Sequence, residues 1–428
     1  MKNDFPTNME GDHIKINKWL LPLSCLYGCG VRLRNLLFEM NILKSRSFSI
    51  PVISVGNITV GGSGKTPHVE YLVNLLHRQV HTSVLSRGYK RKSKGYVLAN
   101  SKTKMSEIGD EPYQMHLKFP DVTVAVDANR CRGIDNLITS PETQGVGVVI
   151  LDDAFQHRYV KPGMNIMLTD YHRIVTEDTL LPAGRLREPV GGKDRADIVI
   201  VTKCPAELKP MEYRVLQRNL NLYPYQSLFF TTIKYCPLEP VFIEAYPLRQ
   251  PDMNIPKDNL PETLAIKLPN VLLLTGIASP KQMIEDLKPL CQSIQHVRFA
   301  DHHQFTPSDA ESISFAYKMI PKPAIIITTE KDAMRLQDLK GLSAEVRKNI
   351  YFLPIKVEFL LGEAEKFNKI ILDYVQKNTI NNRMVKRSYG QPATAEQPAA
   401  IPTTNSNNTR NRTGNAGGTN RDLFGNSL

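Results

Sequence analysis

No run of about 18 or more apolar residues occurs in this sequence, so no bilayer-spanning helix is expected. Cysteine is sparse: Cys25, Cys29, Cys131, Cys204, Cys236 and Cys291 are scattered, and the closest pair has neither zinc-knuckle nor C-x-x-C spacing. The first residues, Met1 to His13, carry acids rather than a basic stretch before an apolar core, so no secretory signal is read and the cytosol is the expected compartment. What the chain does have is length and positive charge. Its 428 residues allow two domains, and its formal net charge of +12 suits an anionic partner: nucleotide, nucleic acid or acidic membrane surface. Part of that charge sits in a polar tail beyond Asn378 that lacks the apolar residues to offset the entropy of ordering it.

Lys18 to Met40 reads KWLLPLSCLYGCGVRLRNLLFEM. On the pattern alone the plainer reading, a helix packed on the core, leads. The sharper one is a basic amphipathic element lying in a lipid interface, with Trp19 and Tyr27 near the headgroups. From Phe48 the pattern turns α/β. FSIPVISV predicts a buried strand, Thr66 to Gln79 a helix, and the runs at Val122–Val126, Val146–Leu151, Asn165–Thr169 and Asp197–Thr202 further strands of a doubly wound parallel sheet. QSLFFTTIKY and EPVFIEAY, between Tyr225 and Glu244, suit an antiparallel pair linking two domains. A second, smaller α/β domain starts near Asn270, with AIIITTEKDAMRL and NIYFLPIKVEF as its strands and a last helix near Glu363–Gln376. The expected boundaries are 1–45 for the N-terminal segment, 46–224 for the core, 225–262 for the linker, 263–360 for the smaller domain, 361–377 for the last helix and 378–428 for a disordered tail.

VGNITVGGSGKTP has Thr59 where a strict G-x-x-x-x-G-K-[ST] loop has its first glycine. Even so, a β-branched strand ending in Gly61-Gly62-Ser63-Gly64 and opening a helix gathers backbone N–H groups and a positive helix end around one point, where phosphates fit. Lys65 would reach the β- and γ-phosphates, and the Thr66 hydroxyl would help hold Mg²⁺. VGVVILDDAFQHR supplies the carboxylates such a site needs at the end of a neighbouring strand, Asp152 and Asp153. The plainer use of that pair is to cap a helix. GDEPY at Gly109–Tyr113 and ADHHQF at Ala300–Phe305 each have a structural explanation alone. Together they could accept a hydroxyl proton near a γ-phosphate. LSRGYKRKSKG reads first as a solvated charged face, whereas Arg185 and Arg187, between Pro182-Ala183-Gly184 and Glu188-Pro189, sit in a rigid turn that favours a defined role.

The ordered set VGNITVGGSGKTP, LSRGY, GDEP, LDDAFQHR, LLPAGRLREP, DHH and TEKDAMRL resembles the tetraacyldisaccharide 4′-kinase (lipid A 4′-kinase) family from about Trp19 to about Val375. In that family's loop, threonine at the position of Thr59 is normal. The resemblance implies a P-loop NTPase-like α/β/α domain and a second, smaller α/β domain joined by a two-stranded linker. It implies ATP and Mg²⁺ as cofactors, and phosphate transfer to the 4′-hydroxyl of tetraacyldisaccharide 1-phosphate at the cytoplasmic face of a Gram-negative inner membrane. By position, Asp110 would be the base, His302 its dyad partner, Lys65 and Thr66 the phosphate and metal residues, and Asp152 and Asp153 the metal acids. Glu111, Gln156, His157 and Arg185 fall at further positions used around the site, here expected for the substrate. The expected partners are the lipid substrate and the membrane surface, not nucleic acid, with the chain a monomer. The rival is a membrane-associated regulatory P-loop ATPase, which carries a lysine where this chain has Val60; a soluble small-molecule kinase is a second rival.

Overall fold

The computed structural model describes residues 16–242, 270–277, 280–301 and 303–389, the last with side chains to Asn378. Helix α1 (Leu21–Glu39) leads into β1 (Val52–Gly56), whose five residues are all buried. The chain then alternates: α2 (Lys65–Leu76), β2 (Thr82–Ser86), a short β3 (Val97–Leu98), α3 (Met105–Ile108), α4 (Asp110–Lys118), β4 (Thr123–Val126), α5 (Arg130–Thr139), β5 (Val148–Asp152), β6 (Met164–Asp170), β7 (Ile198–Thr202), α6 (Pro210–Leu220) and β8 (Ser227–Tyr235). After β9 (Glu239–Pro240) come β10 (Asn270–Thr275), α7 (Lys281–Leu287), β11 (Ile294–Arg298), α8 (Pro307–Met319), β12 (Ala324–Thr329), α9 (Glu330–Leu336), α10 (Ala344–Lys348), β13 (Ile350–Leu353), β14 (Ile355–Phe359) and α11 (Ala364–Tyr389).

These strands form a nine-stranded sheet in the order β14-β8-β7-β6-β1-β5-β2-β4-β3 and a five-stranded sheet in the order β11-β10-β12-β13-β9. The seven strands from β8 to β4 in the larger sheet run parallel, with antiparallel edges at β3 and β14. Its β-branched strands are covered on both faces, as a parallel sheet requires. Ile53, Val84 and Ile150 point towards α2 and α11, while their neighbours Val52, Leu85 and Leu151 face α5.

Two expectations are corrected. QSLFFTTIKY does not pair with EPVFIEAY: β8 lies between β7 and β14 in the large sheet, β9 pairs with β13 in the small one, and the residues beyond Phe242 lie outside those described. The strands that join the sheets are β8 on the way out and β14 on the way back, antiparallel to each other. IKVEF therefore belongs to the large sheet, not the smaller domain. Alternation alone cannot say which sheet a strand joins; the apolar face of the following helix decides it. Phe367, Ile371 and Val375 of α11 bury against the large sheet, and the Phe367 and Phe359 rings lie 4.4 Å apart. The second correction is that α11 runs to Tyr389 rather than ending near Lys377. Once a packed turn exists, each added residue gains a backbone bond without a new nucleation cost.

AIIITTEKDAMRL likewise divides at Thr329, whose Oγ1 accepts from the Asp332 N–H at 3.1 Å and starts α9 as an N-cap.

Candidate active site

Val55, at the end of β1, lies directly beside Asp152 at the end of β5. This register sets the glycine loop against the paired acids. The loop leaves β1, turns through Gly61 (φ +122°) and Gly64 (φ +79°), and enters α2 at Lys65. A side chain on Gly61 or Gly62 would meet open space, so these backbones are bare towards an approaching ligand. The turn is tied from below: Thr202 of β7 donates to the Ser63 carbonyl at 3.0 Å, and His68 Nδ1 meets the Gly64 carbonyl at 2.7 Å. Burial pushes the His68 imidazole down to about 4, against the pull of that carbonyl, so the ring is neutral. A carbonyl only accepts, so Nδ1 carries the proton and Nε2 accepts from Thr231 Oγ1 at 3.0 Å. His68 is thus a strut for the loop, a role the sequence reading missed.

The front half of the loop is held by the LLPAGRLREP turn. Val60 N–H donates to Arg185 O at 2.8 Å and Arg187 N–H to Ile58 O at 2.7 Å, while Thr59 is buried and accepts from Asn57 Nδ2 at 3.1 Å. Thr59 is therefore part of this short pairing with Leu186, which explains a residue other than glycine there. The Arg185 side chain is exposed. Helix α1 grips the same turn: Ser24 Oγ donates to Leu180 O at 3.0 Å, Tyr27 Oη to Arg187 O at 2.8 Å, and a side chain on Gly28 would lie 2.7 Å from Leu180 Cδ1. Its other side is bare, with Leu26 71% exposed and Trp19, in the 3-10 turn just before the helix, 93% exposed. Among the described residues no helix is long and apolar enough to cross a membrane.

Asp152 and Asp153 differ sharply. Asp152 is buried and accepts from Ser86 Oγ at 3.1 Å; burial, with the Glu111 and Asp153 carboxylates nearby, pushes its carboxyl up to about 7. Asp153 adopts left-handed backbone (φ +47°), a cost tolerated mainly at functional turns. Against the penalty of burial, Lys65 Nζ at 3.6 Å and Arg187 Nη1 at 3.4 Å hold its carboxyl below the usual range. Gln156 bridges the two motifs, with Nε2 donating to Asn57 O at 2.6 Å and Oε1 3.4 Å from Arg187. Burial and the charges of Arg130, Arg34 and Arg87 push His157 down to about 4, and its buried Nε2 has no hydrogen-bond partner. Arg130, only 2% exposed, donates to the Asp152 carbonyl at 3.2 Å. Sequence reasoning missed it, since a lone arginine opening a helix gives no signal.

Asp110 and Glu111 open α4, where the positive helix end favours acids. The small sheet reaches them through α9. Arg335, its side chain 3% exposed, donates from Nε to Asp110 Oδ2 at 3.1 Å and also from Nη2. Its Nη1 reaches Asp332 Oδ1 at 3.0 Å, and the fully buried Asp332 is itself fixed by Gly276 N–H at 2.8 Å. Lys331 lies 3.6 Å from Glu111 and 3.9 Å from Asp301. Lys118 completes the joint, 2.7 Å from both Glu70 of α2 and Glu330 of α9. His302 lies outside the described residues. His303 is engaged: its ring stacks on Phe299 and Nε2 meets Asp309 Oδ2 at 3.0 Å. The structure thus brings Lys65, Asp152, Asp153, Asp110, Glu111, Gln156 and His157 to one side of the parallel sheet and borders them with the small sheet.

A family model described as tetraacyldisaccharide-1-P 4′-kinase matches residues 16–376. The tetraacyldisaccharide 4′-kinase of Phocaeicola vulgatus is 54% identical over 377 residues, 87% of this chain and 99% of the relative. That of Bacteroides thetaiotaomicron is 51% identical over 380 residues, 89% of this chain and 98% of the relative. Among solved structures, the "apo" form of LpxK from Aquifex aeolicus in complex with ATP is 30% identical, with a TM-score of 0.60 over 83% of this chain and 98% of that one. These likenesses favour the kinase over the regulatory ATPase and support the α/β P-loop fold. The chain belongs to the tetraacyldisaccharide-1-P 4′-kinase family and is a phosphotransferase acting on a hydroxyl group.

Proposed function

We propose that this chain transfers the γ-phosphate of ATP to the 4′-hydroxyl of tetraacyldisaccharide 1-phosphate, a step of lipid A synthesis, at the cytoplasmic face of the inner membrane, working as a monomer. The observation that carries the reading is the meeting of a bare glycine turn and Lys65 with two acid pairs, Asp152-Asp153 and Asp110-Glu111. The loop N–H groups from Gly61 to Thr66 and the Lys65 ammonium cradle the β- and γ-phosphates, spending fixed dipoles on charge that moves during transfer.

The donors present fit Mg²⁺. All are oxygens, and Asp152, pushed up to about 7 first by burial and then by the Glu111 and Asp153 charges, is a carboxyl whose charged form a divalent cation would favour. Among the described residues no group of three His, Cys, Asp or Glu side chains could hold a metal ion alone, as expected where phosphate oxygens and water complete the shell. Thr66, Asp152 and Asp153 would hold it, and it would supply neutralisation of the phosphate charge. Asp110 accepts the 4′-hydroxyl proton, aimed by Arg335. His302 completes the dyad, a reading supported by the commitment of His303 to Asp309 and two aromatic rings. His157, held neutral, suits a hydrogen bond to a sugar hydroxyl rather than proton removal, and Glu111, Gln156 and the exposed Arg185 line the approach. The bare face of α1 lies in the lipid interface and brings the loop to the headgroup of an embedded substrate.

The test is phosphate transfer from labelled ATP to the lipid in mixed micelles by wild type, Asp110→Ala, His302→Ala and His303→Ala. Mg²⁺-dependent product that falls steeply in the first two variants and survives in the third is expected. ATP hydrolysis without lipid product refutes the reading.

A further inference from the structure

Two cations of the small sheet face the first turn of α4. Lys331 and Arg335 stand four residues apart on α9, hence on one side of that helix, and meet the adjacent acids Glu111 and Asp110. They are held very differently. Arg335 gives Nε and Nη2 to Asp110 and Nη1 to Asp332, with its side chain 3% exposed, so its fork is spent on positioning. Lys331 Nζ lies 3.6 Å from Glu111 Oε1 and 3.9 Å from Asp301 Oδ1, both beyond hydrogen-bonding distance.

The backbone beneath Lys331 is nonetheless fixed. Glu330 before it is bound by Lys118 at 2.7 Å, and Asp332 after it accepts from Gly276 N–H at 2.8 Å and from Thr329 Oγ1 at 2.7 Å. A flexible four-carbon stem thus rises from a rigid base. Its ammonium also stands one carboxylate away from the metal acids, because the Glu111 charge it faces is the one that, after burial, does most to raise Asp152. Lys65 reaches those acids from the large sheet and Lys331 approaches them from the small one.

Resting on the function proposed above, we infer that Lys331 is a further catalytic residue, whose ammonium moves from Glu111 and Asp301 onto the γ-phosphate during transfer: a cation supplied by the small sheet to a nucleotide held by the large one. In that step the bond from the γ-phosphorus to the ADP oxygen breaks as the bond to the 4′-oxygen forms, and the hydroxyl proton passes to Asp110. Lys331 exchanges no proton. The charge of the group in flight is spread over its equatorial oxygens, and a cation that arrives only then favours the transition state over bound ATP. A compact point charge on a long stem can change partners in this way, whereas the forked guanidinium of Arg335 is committed.

The test compares wild type with Lys331→Met and Lys331→Arg in mixed micelles with Mg²⁺. It reads kcat, both KM values, urea unfolding, and affinity for ADP with aluminium fluoride, a mimic of the phosphoryl group in flight, against affinity for ADP alone. Lys331→Met should lower kcat by about 100-fold or more, the cost of losing one preorganised transition-state donor, with KM for ATP unchanged. Its affinity for the fluoride complex should fall by a similar factor while that for ADP holds, and Lys331→Arg should recover part of both losses. If the methionine variant unfolds, Lys331→Gln takes its place with the same expectations. An unchanged kcat, an equal loss of affinity for ADP and its fluoride complex, or a loss confined to KM for the lipid or to unfolding overturns the catalytic role. Failure of wild type to phosphorylate the lipid, with its preference for the fluoride complex over ADP intact, would instead refute the acceptor named above and leave Lys331 to be judged on those two affinities.

Discussion

Asp152→Asn should make the protein more stable and inactive. The Asp152 carboxyl is 2% exposed and is pushed from an ordinary 3.8 up to about 7, first by burial and then by the Glu111 and Asp153 charges. A shift of about three units at 1.36 kcal/mol each is about 4 kcal/mol, shared with the neighbouring acids, so about 2–4 kcal/mol is expected for this position. The sign follows from the raised value. Folding favours the protonated acid, so this contribution is intact below about pH 4 and is lost as pH rises towards about 7. Asparagine is never charged and still accepts from Ser86, so the variant escapes that loss. Urea unfolding of the metal-free protein should therefore show the variant ahead by about 2–4 kcal/mol near pH 8, with the gain shrinking below about 1 kcal/mol near pH 4 and the m-value unchanged. Adding Mg²⁺ and nucleotide should raise the wild-type midpoint and move the variant much less, because a ligand stabilises only the state that binds it. A variant no more stable at pH 8, or equally favoured at both pH values, refutes the argument that this carboxylate is held charged at the expense of the fold.

Arg335→Ala should cost about 3–5 kcal/mol of stability, because it leaves the fully buried Asp332 short of a partner, and should also release Asp110. Arg335→Lys keeps the charge but not the fork that serves two carboxylates; it should recover much of the stability, measured by denaturant unfolding, and little of kcat, and recovery of both refutes the positioning role. Gly64→Ala has room for its methyl, whose nearest neighbour is His68 at 3.7 Å, so the loss should come from backbone alone. At φ +79° that is about 1–2 kcal/mol, read as about a tenfold weaker nucleotide affinity by calorimetry with the fold intact.

Much of the site was legible because its parts are local. The β-branched run before GGSGKT and the apolar run before Asp152-Asp153 each announce a buried strand, and parallel pairing of Val55 with Asp152 does the rest. Thr59 was legible only through the family resemblance, since its reason, the pairing with Leu186, depends on a segment more than a hundred residues away. The joint between the sheets was not legible. Asp110 and Arg335 are 225 positions apart, and charged residues in TEKDAMRL look like any solvated helix until burial is known. A faint signal existed in the i,i+3 spacing of Asp332 and Arg335 on a short helix after an apolar strand, where two opposite charges would be neighbours. Nothing in Arg130 or His68 distinguished a buried residue from an exposed one.

The joint also bears on why the proposed base, Asp110, is reached from both sheets. Arg335 and Lys331 approach Asp110 and Glu111 from α9, whereas Asp152 and Lys65 belong to the large sheet alone. On the proposed function, phosphate binding would therefore need one sheet and alignment of Asp110 would need both. With a lipid-embedded substrate, this division would let nucleotide be held without an aimed base, so that water would be a poor competitor whenever the contact between α9 and α4 is broken. The Lys118 bridge between Glu70 and Glu330 is the mechanical link in that scheme, since Glu70 stands on the helix that the phosphate loop opens. Lys118→Met, which keeps the length of the side chain and removes the charge, should raise ATP hydrolysis in the absence of lipid relative to lipid phosphorylation. An unchanged ratio of the two rates would mean that Lys118 only stabilises the joint and does not couple the sheets.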